Sequence, residues 1–254
     1  MKNHQSEKSM RPYDNATTVA NEDEILTDFQ LRSLVSYQKY RHIKDIQYGV
    51  HPRSTLDLFP VEQANKTIIF IHGGYWQWCE KSDFAFIVPH VLAQGVQCIL
   101  LEYDLAPQSK IADIVTQVHE ALDFIAKQDW RTNEVMLVGH SAGAHLGALV
   151  VGHPMISKMV LLSGIYDLEP IQKTHLNHAL NLTKEDILKY SPIHHKERID
   201  IPCTILCGEL ELEELKWQSQ NYFESKKDQE QGGVSFTLIP HINHYTILEY
   251  YFRH

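Results

Sequence analysis

Cysteine and long apolar runs are both scarce in this sequence. The 254 residues include four cysteines, and Cys98, Cys203 and Cys207 fall in apolar runs typical of β-strands. Reduced thiols packed as small hydrophobic groups suit that placement better than a disulfide framework. Residues 1–10 lack the apolar core of a secretory signal, and no apolar run approaches the roughly 20 residues of a membrane-spanning helix. We therefore expect a cytoplasmic protein that does not enter a membrane.

Positive charge is also in deficit, and no metal-binding motif is present. The chain has 23 Lys and Arg against 32 Asp and Glu, for a formal net charge of -9. Nucleic acid and anionic membrane surfaces repel such a protein at long range, so we expect a small-molecule substrate as its partner. The absence of an H-E-x-x-H or comparable ligand set predicts no metal and no cofactor. The sequence leaves the oligomeric state open, with a homodimer as one option.

Hydrophobic periodicity divides the chain into a loose arm over residues 1–20 and a single α/β domain over 21–254. An N-terminal helix is predicted over 22–41, where the apolar residues near helical spacing are Ile25, Phe29, Leu31, Leu34 and Tyr37. Residues 43–50 and 54–59 alternate as strands do, and we expect them to pair in antiparallel fashion. From residue 67 onward, apolar strands alternate with helical segments. This alternation predicts a mostly parallel central sheet with helices on both faces.

The remaining elements are assigned from the same patterns. The predicted strands are 67–71, 96–101, 134–138, 158–162, 203–207 and 234–239. The predicted helices are 82–94, 111–127, 142–151, 171–190, 211–227 and one that follows His244.

A nucleophile motif lies between a predicted strand and a predicted helix. Residues 139–143 read Gly-His-Ser-Ala-Gly, which matches the G-x-S-x-G turn of the α/β-hydrolase fold. The flanking residues must be small because the chain turns sharply and holds the serine above the carboxyl edge of the sheet. The motif predicts Ser141 as the nucleophile. The alternative is a glycine-bounded turn whose serine only caps a helix.

A second glycine-rich segment follows the strand at 67–71. Residues 72–76 read His-Gly-Gly-Tyr-Trp, at the position where esterases of this fold carry backbone N–H groups that face the reacting carbonyl oxygen. We expect the amides of Gly74 and Tyr75 to donate to that oxygen together with the amide of Ala142, while Gly73 shapes the turn. The alternative is a purely structural Gly-Gly turn.

The general base and its acid come late in the chain in this fold. His244 follows the predicted strand 234–239 after a short turn and is the expected base. The loop over residues 208–214 contains four glutamates and no aspartate. Glutamate can hold the imidazole as aspartate does, so we assign Glu211 as the acid. Asp167, which follows the preceding strand, is the alternative.

Four segments together resemble kynurenine formamidase, also called arylformamidase. They are HGGYWQ (72–77), YDLAP (103–107), GHSAGAHL (139–146) and SGIYDLEP (163–170). The resemblance runs from about Leu56 to the end of the chain. It implies an α/β-hydrolase that cleaves N-formyl-L-kynurenine to L-kynurenine and formate. In that family the acid is usually aspartate, so Glu211 is a departure from the pattern.

An aryl formamide requires an aromatic binding surface. Tyr75, Trp76, Trp78 and Tyr166 follow predicted strand ends, and we expect Trp76 and Tyr166 in particular to contact the substrate. Packing at the rim of the sheet is the alternative for these aromatic residues. Two other functions compete with the formamidase, namely a general carboxylesterase of the same fold and a catalytically silent binding protein.

Overall fold

The computed structural model describes residues 12–196, 199–227 and 233–253, and within them the chain forms one mixed sheet flanked by helices. The strands are Ile43–Gln47 (β1), Thr55–Phe59 (β2), Lys66–Ile71 (β3), Gln97–Leu101 (β4), Glu134–His140 (β5), Lys158–Leu162 (β6), Cys203–Gly208 (β7) and Val234–Ile239 (β8). The α-helices are Glu22–Lys39 (α1), Val88–Ala93 (α2), Ile111–Ala126 (α3), Ala142–Leu149 (α4), Glu169–Gln172 (α5), Asn177–Leu180 (α6), Lys184–Tyr190 (α7), Glu213–Lys226 (α8) and Thr246–Arg253 (α9). Short 3-10 helices cover Asn15–Thr18, Lys81–Ile87 and Pro192–His194.

The strand order is β1-β2-β4-β3-β5-β6-β7-β8. β2 pairs antiparallel with β1 and with β4, and every other pairing in the sheet is parallel. Parallel neighbours require crossover connections, and here helices make those connections across the two faces. The predicted α/β class with a mostly parallel sheet and the predicted antiparallel first pair are confirmed.

The core has two layers because side chains alternate across the sheet. In β3, Ile69 and Ile71 pack into one buried cluster with helix α3. Ile68 and Phe70 face the opposite cluster, which also receives Phe252 of α9. Near-continuous apolar strands such as β3 and β4 are therefore explained by burial on both faces.

The N-terminal residues 12–20 are packed against the domain, so the prediction of a loose arm is wrong for them. Tyr13 is 3% exposed and belongs to a buried cluster, and its hydroxyl accepts a hydrogen bond from Gln218 Nε2 at 3.0 Å. Residues 1–11 of the predicted arm lie outside the described residues. Lack of periodicity misled the prediction because a short irregular segment can be held by a few long-range contacts.

Two predicted helices are more broken than their patterns indicated. The segment 82–94 is a 3-10 helix followed by α2, with a proline in the first turn of α2. The segment 171–190 contains the separate short helices α5, α6 and α7, with Asn181 left-handed at the end of α6. Proline and a left-handed residue both end a regular helix, which accounts for these divisions.

Helix α1 docks through part of its predicted apolar pattern, since Phe29 is buried and Ile25 and Tyr37 pack against the same cluster. Leu31 and Leu34 are exposed, whereas Ser33 is buried. Ser33 Oγ donates to Asp83 O at 2.8 Å and accepts from Phe86 N at 2.9 Å. A small serine lets the helix approach the Lys81–Ile87 segment closely enough for these bonds.

None of the helices within residues 12–196, 199–227 and 233–253 combines the length and the apolar character needed to cross a bilayer.

Candidate active site

The turn between β5 and α4 holds Ser141 in a strained conformation. Its backbone has φ 55 and ψ -118, a combination that a non-glycine residue adopts only when its surroundings enforce it. An added Cβ at Gly139 would lie 2.4 Å from Gly143 O, and one at Gly143 would lie 2.0 Å from Ile71 O. Both positions therefore require glycine. The turn has the geometry that the G-x-S-x-G motif predicts.

The glycine loop after β3 lies directly beside this turn. A Cβ added at Gly73 would come within 2.9 Å of Ser141 Cβ. Gly74 has φ 104, and a Cβ there would lie 2.2 Å from Trp78 O. The predicted oxyanion residues are Gly73, Gly74, Tyr75 and Ala142. Their backbone N–H groups have no hydrogen-bond acceptor among the described residues. Unpaired donors beside a serine hydroxyl are what stabilisation of an oxyanion requires.

A buried polar network, centred on His72 and Glu102, packs against the glycine loop. His72 Nε2 lies 2.9 Å from Glu102 Oε1, and the His72 ring stacks on Tyr103 at 4.3 Å. Arg53 Nη2 donates to the same Glu102 oxygen at 2.8 Å and to Cys79 O at 2.9 Å. Burial by itself would raise the pKa of Glu102, but His72 and Arg53 outweigh it and hold that pKa below the ordinary value. The charged network fixes the loop against the end of β4.

His244 and Glu211 form a buried pair. His244 Nδ1 donates to Glu211 Oε2 at 2.8 Å, and the other carboxylate oxygen accepts from Gly208 N at 2.6 Å and Ser163 Oγ at 2.5 Å. These bonds leave His244 Nε2 as the ring nitrogen available for a proton from the serine. The alternative acid, Asp167, instead accepts from Glu169 N at 2.9 Å, at the start of α5.

The pair meets because two loops join by backbone contacts. Leu210 N donates to Ile242 O at 2.9 Å, and a Cβ at Gly208 would lie 2.2 Å from that same oxygen. The loop after β7 is thus held against the turn that precedes α9. Glu211 comes before the first residue of α8, so its side chain is directed by this loop and not by the helix.

His140 connects the serine turn to the loop that carries His244. Its Nε2 donates to His244 O at 2.9 Å. Burial, and then the neighbouring His244, hold the pKa of His140 well below its ordinary value, so its ring is neutral. A neutral ring in this position fixes the backbone of His244 without adding charge beside the His244 ring.

Ser141 and His244 line one cavity of about 270 Å³. Its wall includes the glycine loop at Gly73 and Gly74. Apolar and aromatic side chains make up much of the remainder: Tyr13, Leu26, Phe29, Tyr75, Trp78, Phe84, Leu176, Tyr245 and Leu248. A cavity of this size and character suits a small aromatic molecule. No group of three or more His, Cys, Asp or Glu side chains positioned to hold a metal occurs in the described part of the chain.

Trp76 and Tyr166 are not substrate contacts, and this part of the sequence prediction is wrong. Both side chains are 0% exposed, and neither lines the cavity. Trp76 Nε1 donates to His145 Nδ1 at 3.2 Å, and Tyr166 stacks on Tyr222 with ring centroids 4.2 Å apart. They turn inward from the strand ends as core residues. Two other aromatic residues that follow β3, Tyr75 in the glycine loop and Trp78 just after it, do line the cavity.

Sequence reasoning missed two contributors to the site. Ser163 follows β6 with φ 52 and donates to Glu211, and residues 13–29 supply one side of the cavity. Serine directly after a strand end was the available signal for the first. No local pattern marks the second, because its position depends on contacts with remote parts of the chain.

Comparison with known proteins agrees with this geometry. A family model described as the alpha/beta hydrolase fold matches residues 68–216. The chain is similar to kynurenine formamidase of Salmo salar, with 29% identity over 221 residues that cover 81% of this chain and 75% of that protein. It is also similar to kynurenine formamidase of Danio rerio, with 29% identity over 225 residues that cover 82% of this chain and 76% of that protein.

A solved structure shows the same fold. A candidate thioesterase from Silicibacter sp. superposes with a TM-score of 0.85 at 23% identity and covers 93% of this chain and 92% of that one. The resemblance drawn from the four sequence segments is confirmed by the curated relatives. This chain is a hydrolase, and it belongs to the α/β-hydrolase family with the kynurenine formamidases among its relatives.

Proposed function

We propose that this hydrolase cleaves N-formyl-L-kynurenine to L-kynurenine and formate, with Ser141 as nucleophile, His244 as general base and Glu211 as the acid. One observation carries the proposal: the serine shares its cavity with a histidine whose other ring nitrogen is hydrogen-bonded to a buried carboxylate. That pairing keeps Nε2 of the neutral ring as an acceptor and stabilises the imidazolium that forms when the serine loses its proton.

The reaction has two steps. Ser141 Oγ attacks the formyl carbon while His244 Nε2 takes the hydroxyl proton, and a tetrahedral intermediate forms. The C–N bond then breaks, and His244 returns the proton to the departing aromatic amine. In the second step His244 deprotonates a water molecule that attacks the formyl ester, formate leaves, and the proton returns to Ser141 Oγ.

The negative charge of each intermediate needs donors that are already in place. The unpaired backbone N–H groups of the glycine loop and of Ala142 are the candidates for this role. These N–H groups need not move when the charge develops, because the hydrogen bond between His72 and Glu102 fixes the glycine loop.

The nature of the substrate is supported by the relatives and by the cavity. The relatives that align with about four-fifths of this chain are kynurenine formamidases, and the cavity wall is rich in apolar and aromatic groups. A formyl carbon is the smallest acyl centre. The site therefore needs little room around Ser141 and can use most of the cavity for the aromatic amine.

Relative kcat/KM on N-formyl-L-kynurenine and p-nitrophenyl acetate tests the proposal. We expect the formamide to be preferred, since binding of the aromatic amine lowers the barrier of the acylation step. A preference for the ester would replace the formamidase with a general carboxylesterase. Failure of a fluorophosphonate to label Ser141, together with no turnover of either substrate, would leave only the binding-protein hypothesis.

We propose the cytoplasm as the compartment of this reaction. All four cysteines are free thiols, and burial raises the pKa of Cys203 to about 12, so that thiol is unreactive. The homodimer stays a prediction, and light scattering on the purified chain tests it.

A further inference from the structure

The carboxylate of Glu211 is held by two donors besides the histidine. Its Oε1 accepts from Gly208 N at 2.6 Å and from Ser163 Oγ at 2.5 Å. Its Oε2 accepts from His244 Nδ1 at 2.8 Å. A hydroxyl that donates to an ionised carboxylate has an oxygen–oxygen distance of about 2.5–2.7 Å, so the bond from Ser163 is a charge-assisted one. Oε1 is therefore anchored, and Oε2 is left for His244.

The backbone of Ser163 indicates that its side chain is needed at this position. Ser163 follows β6 with φ 52, is 0% exposed, and its N–H donates to Leu206 O at 2.8 Å. Glycine adopts a left-handed φ without the steric cost that a side chain brings. A side chain kept in such a conformation at a buried site points to a function that offsets the strain. The one hydrogen bond that this hydroxyl makes among the described residues is the bond to Glu211.

The surroundings of Glu211 make neutral donors necessary. The residue is 4% exposed, and its ion-pair partner is His244; no lysine or arginine of the described ranges pairs with it. Burial, and then the charge of Glu211, raise the pKa of the Cys207 thiol, so that neighbour stays protonated and neutral. While His244 is neutral, the negative charge of Glu211 is therefore stabilised by hydrogen bonds from neutral groups.

A glutamate also needs more fixing than an aspartate. Its side chain has one more rotatable bond between the backbone and the carboxylate, so an unanchored carboxylate has more orientations in which Oε2 turns away from His244. Gly208 is the last residue of β7, and Ser163 directly follows the neighbouring strand β6. Donors from the ends of two adjacent strands fix the position of Oε1 better than one donor does.

We propose that Ser163 is a positioning residue for catalysis, whose hydroxyl holds Glu211 in the orientation that presents Oε2 to His244 Nδ1. This role rests on the triad of the proposed function and applies to any acyl substrate that Ser141 attacks. Ser163 is not among the residues that line the cavity. Its loss should therefore lower kcat and leave KM unchanged.

Ser163→Gly is the informative variant, because it removes the hydroxyl and at the same time relieves the left-handed backbone. If Ser163 only forms the turn, glycine keeps the full kcat. If Ser163 positions Glu211, kcat on N-formyl-L-kynurenine and on p-nitrophenyl acetate should fall about tenfold, the effect of one hydrogen bond to a charged group. Ser163→Ala should give the same loss. Ser191→Ala is the matched control, because Ser191 is also 0% exposed and its Oγ accepts from Leu168 N, away from Glu211; its kcat should be unchanged.

Two further measurements assign the effect to Glu211. In a Glu211→Ala background the carboxylate that Ser163 holds is gone, so Ser163→Gly should lower kcat by less than about twofold there. Nitrogen NMR of the His244 ring shows which ring nitrogen bears the proton, without any turnover. The unsubstituted chain should have the proton on Nδ1, and Ser163→Gly should have a larger share of the form with the proton on Nε2.

Full kcat in Ser163→Gly, with the His244 proton still on Nδ1, would overturn the role of Ser163 and leave the proposed function intact. Equal losses with and without the Glu211 carboxylate would also overturn it, because the effect would then not pass through Glu211. If the chain hydrolyses the ester but not the formamide, the formamidase proposal fails, and the ester gives the same test of Ser163. If it hydrolyses neither, the formamidase proposal fails, and the NMR comparison decides whether Ser163 orients Glu211. Ser163→Ala serves in each comparison if Ser163→Gly does not fold.

Discussion

Two sides of the same cavity are built in different ways. The floor, which consists of Gly73, Gly74, Ser141 and His244, comes from loops at the carboxyl edge of the sheet. The roof, residues 13–29, is an irregular segment and the first part of α1, which reach the cavity through hydrogen bonds to Tyr75, Gln218 and Tyr245. The floor has the parts needed for bond making and breaking, and the roof has the groups that face the rest of the substrate. We therefore expect floor variants to change kcat and roof variants to change KM and selectivity.

The strongest test of the floor is Ser141→Ala. Without the hydroxyl no formyl-enzyme can form, so kcat on N-formyl-L-kynurenine should fall by roughly 10⁴- to 10⁶-fold. Stopped-flow and steady-state assays measure the loss, and fluorophosphonate labelling should vanish with it. A variant that keeps a tenth of the activity would show that another group is the nucleophile.

Glu211→Gln should give the second largest loss. The neutral amide cannot stabilise the imidazolium and can hold the wrong tautomer of His244, so we expect kcat to fall roughly 10²- to 10⁴-fold. Asp167→Asn is the matched control, because that carboxylate accepts from Glu169 N instead. Equal losses in the two variants would contradict the assignment of the acid.

Gly73→Ala examines how closely the glycine loop approaches the serine. The new Cβ would lie 2.9 Å from Ser141 Cβ and 3.1 Å from His140 O, so the loop must shift away from the reacting carbon. We expect kcat to fall about 10- to 100-fold, less than the roughly 10²- to 10³-fold loss on removing an oxyanion donor, because the amide is displaced and not removed. Gly152→Ala, where an added Cβ meets nothing within 4 Å, should leave kcat unchanged. Activity retained by the Gly73 variant would mean that the loop yields easily.

Trp76→Phe separates packing from substrate binding. The ring is fully buried and its Nε1 donates to His145, so the variant should lose about 1–3 kcal/mol of unfolding free energy, since a buried acceptor is left unpaired. Urea denaturation measures this loss. KM for N-formyl-L-kynurenine should stay the same; a several-fold rise in KM with unchanged stability would restore Trp76 as a substrate contact.

Leu26→Ala examines the roof and has the smallest expected effect. Leu26 lines the cavity and is 36% exposed, so removing its side chain should raise KM by about two- to fivefold through lost apolar contact, with kcat unchanged. Leu31→Ala, on the same helix at 59% exposure and away from the cavity, is the control. If Leu26→Ala lowered kcat without changing KM, the roof would take part in the chemical step, contrary to this comparison.

The floor could be predicted because each of its parts is coded locally. Ser141 lies between glycines that the turn requires, and Gly73 follows directly after the strand β3. The carboxyl ends of parallel strands meet at one edge, so the sheet brings loops that are far apart in sequence near one another. Glu211 follows from the same rule, although its glutamate departs from the pattern of the family.

The roof and the inward aromatic residues could not be predicted in this way. Trp76 and Tyr166 follow strand ends as the cavity residue Tyr75 does, so position in the sequence does not separate them. Tyr75 and Trp76 also share a positive φ, 50 and 59, yet Tyr75 lines the cavity while the Trp76 ring is buried against His145. The packing partners of each ring make the difference. Asn15 has no periodic neighbours, so its position depends on a bond to Tyr75 from 60 residues further along the chain.

By itself the sequence determined the α/β architecture, the serine turn, the glycine loop and the order of the candidate acid and base, because alternating hydrophobicity and obligatory glycines act over short distances. Only the tertiary structure decided that residues 12–20 pack against the domain, that Ser163 supports Glu211, and that Asp14, Asn15 and Glu22 face the cavity. These placements arise from side-chain hydrogen bonds between remote segments, and the partner of such a bond is not encoded near the residue that makes it.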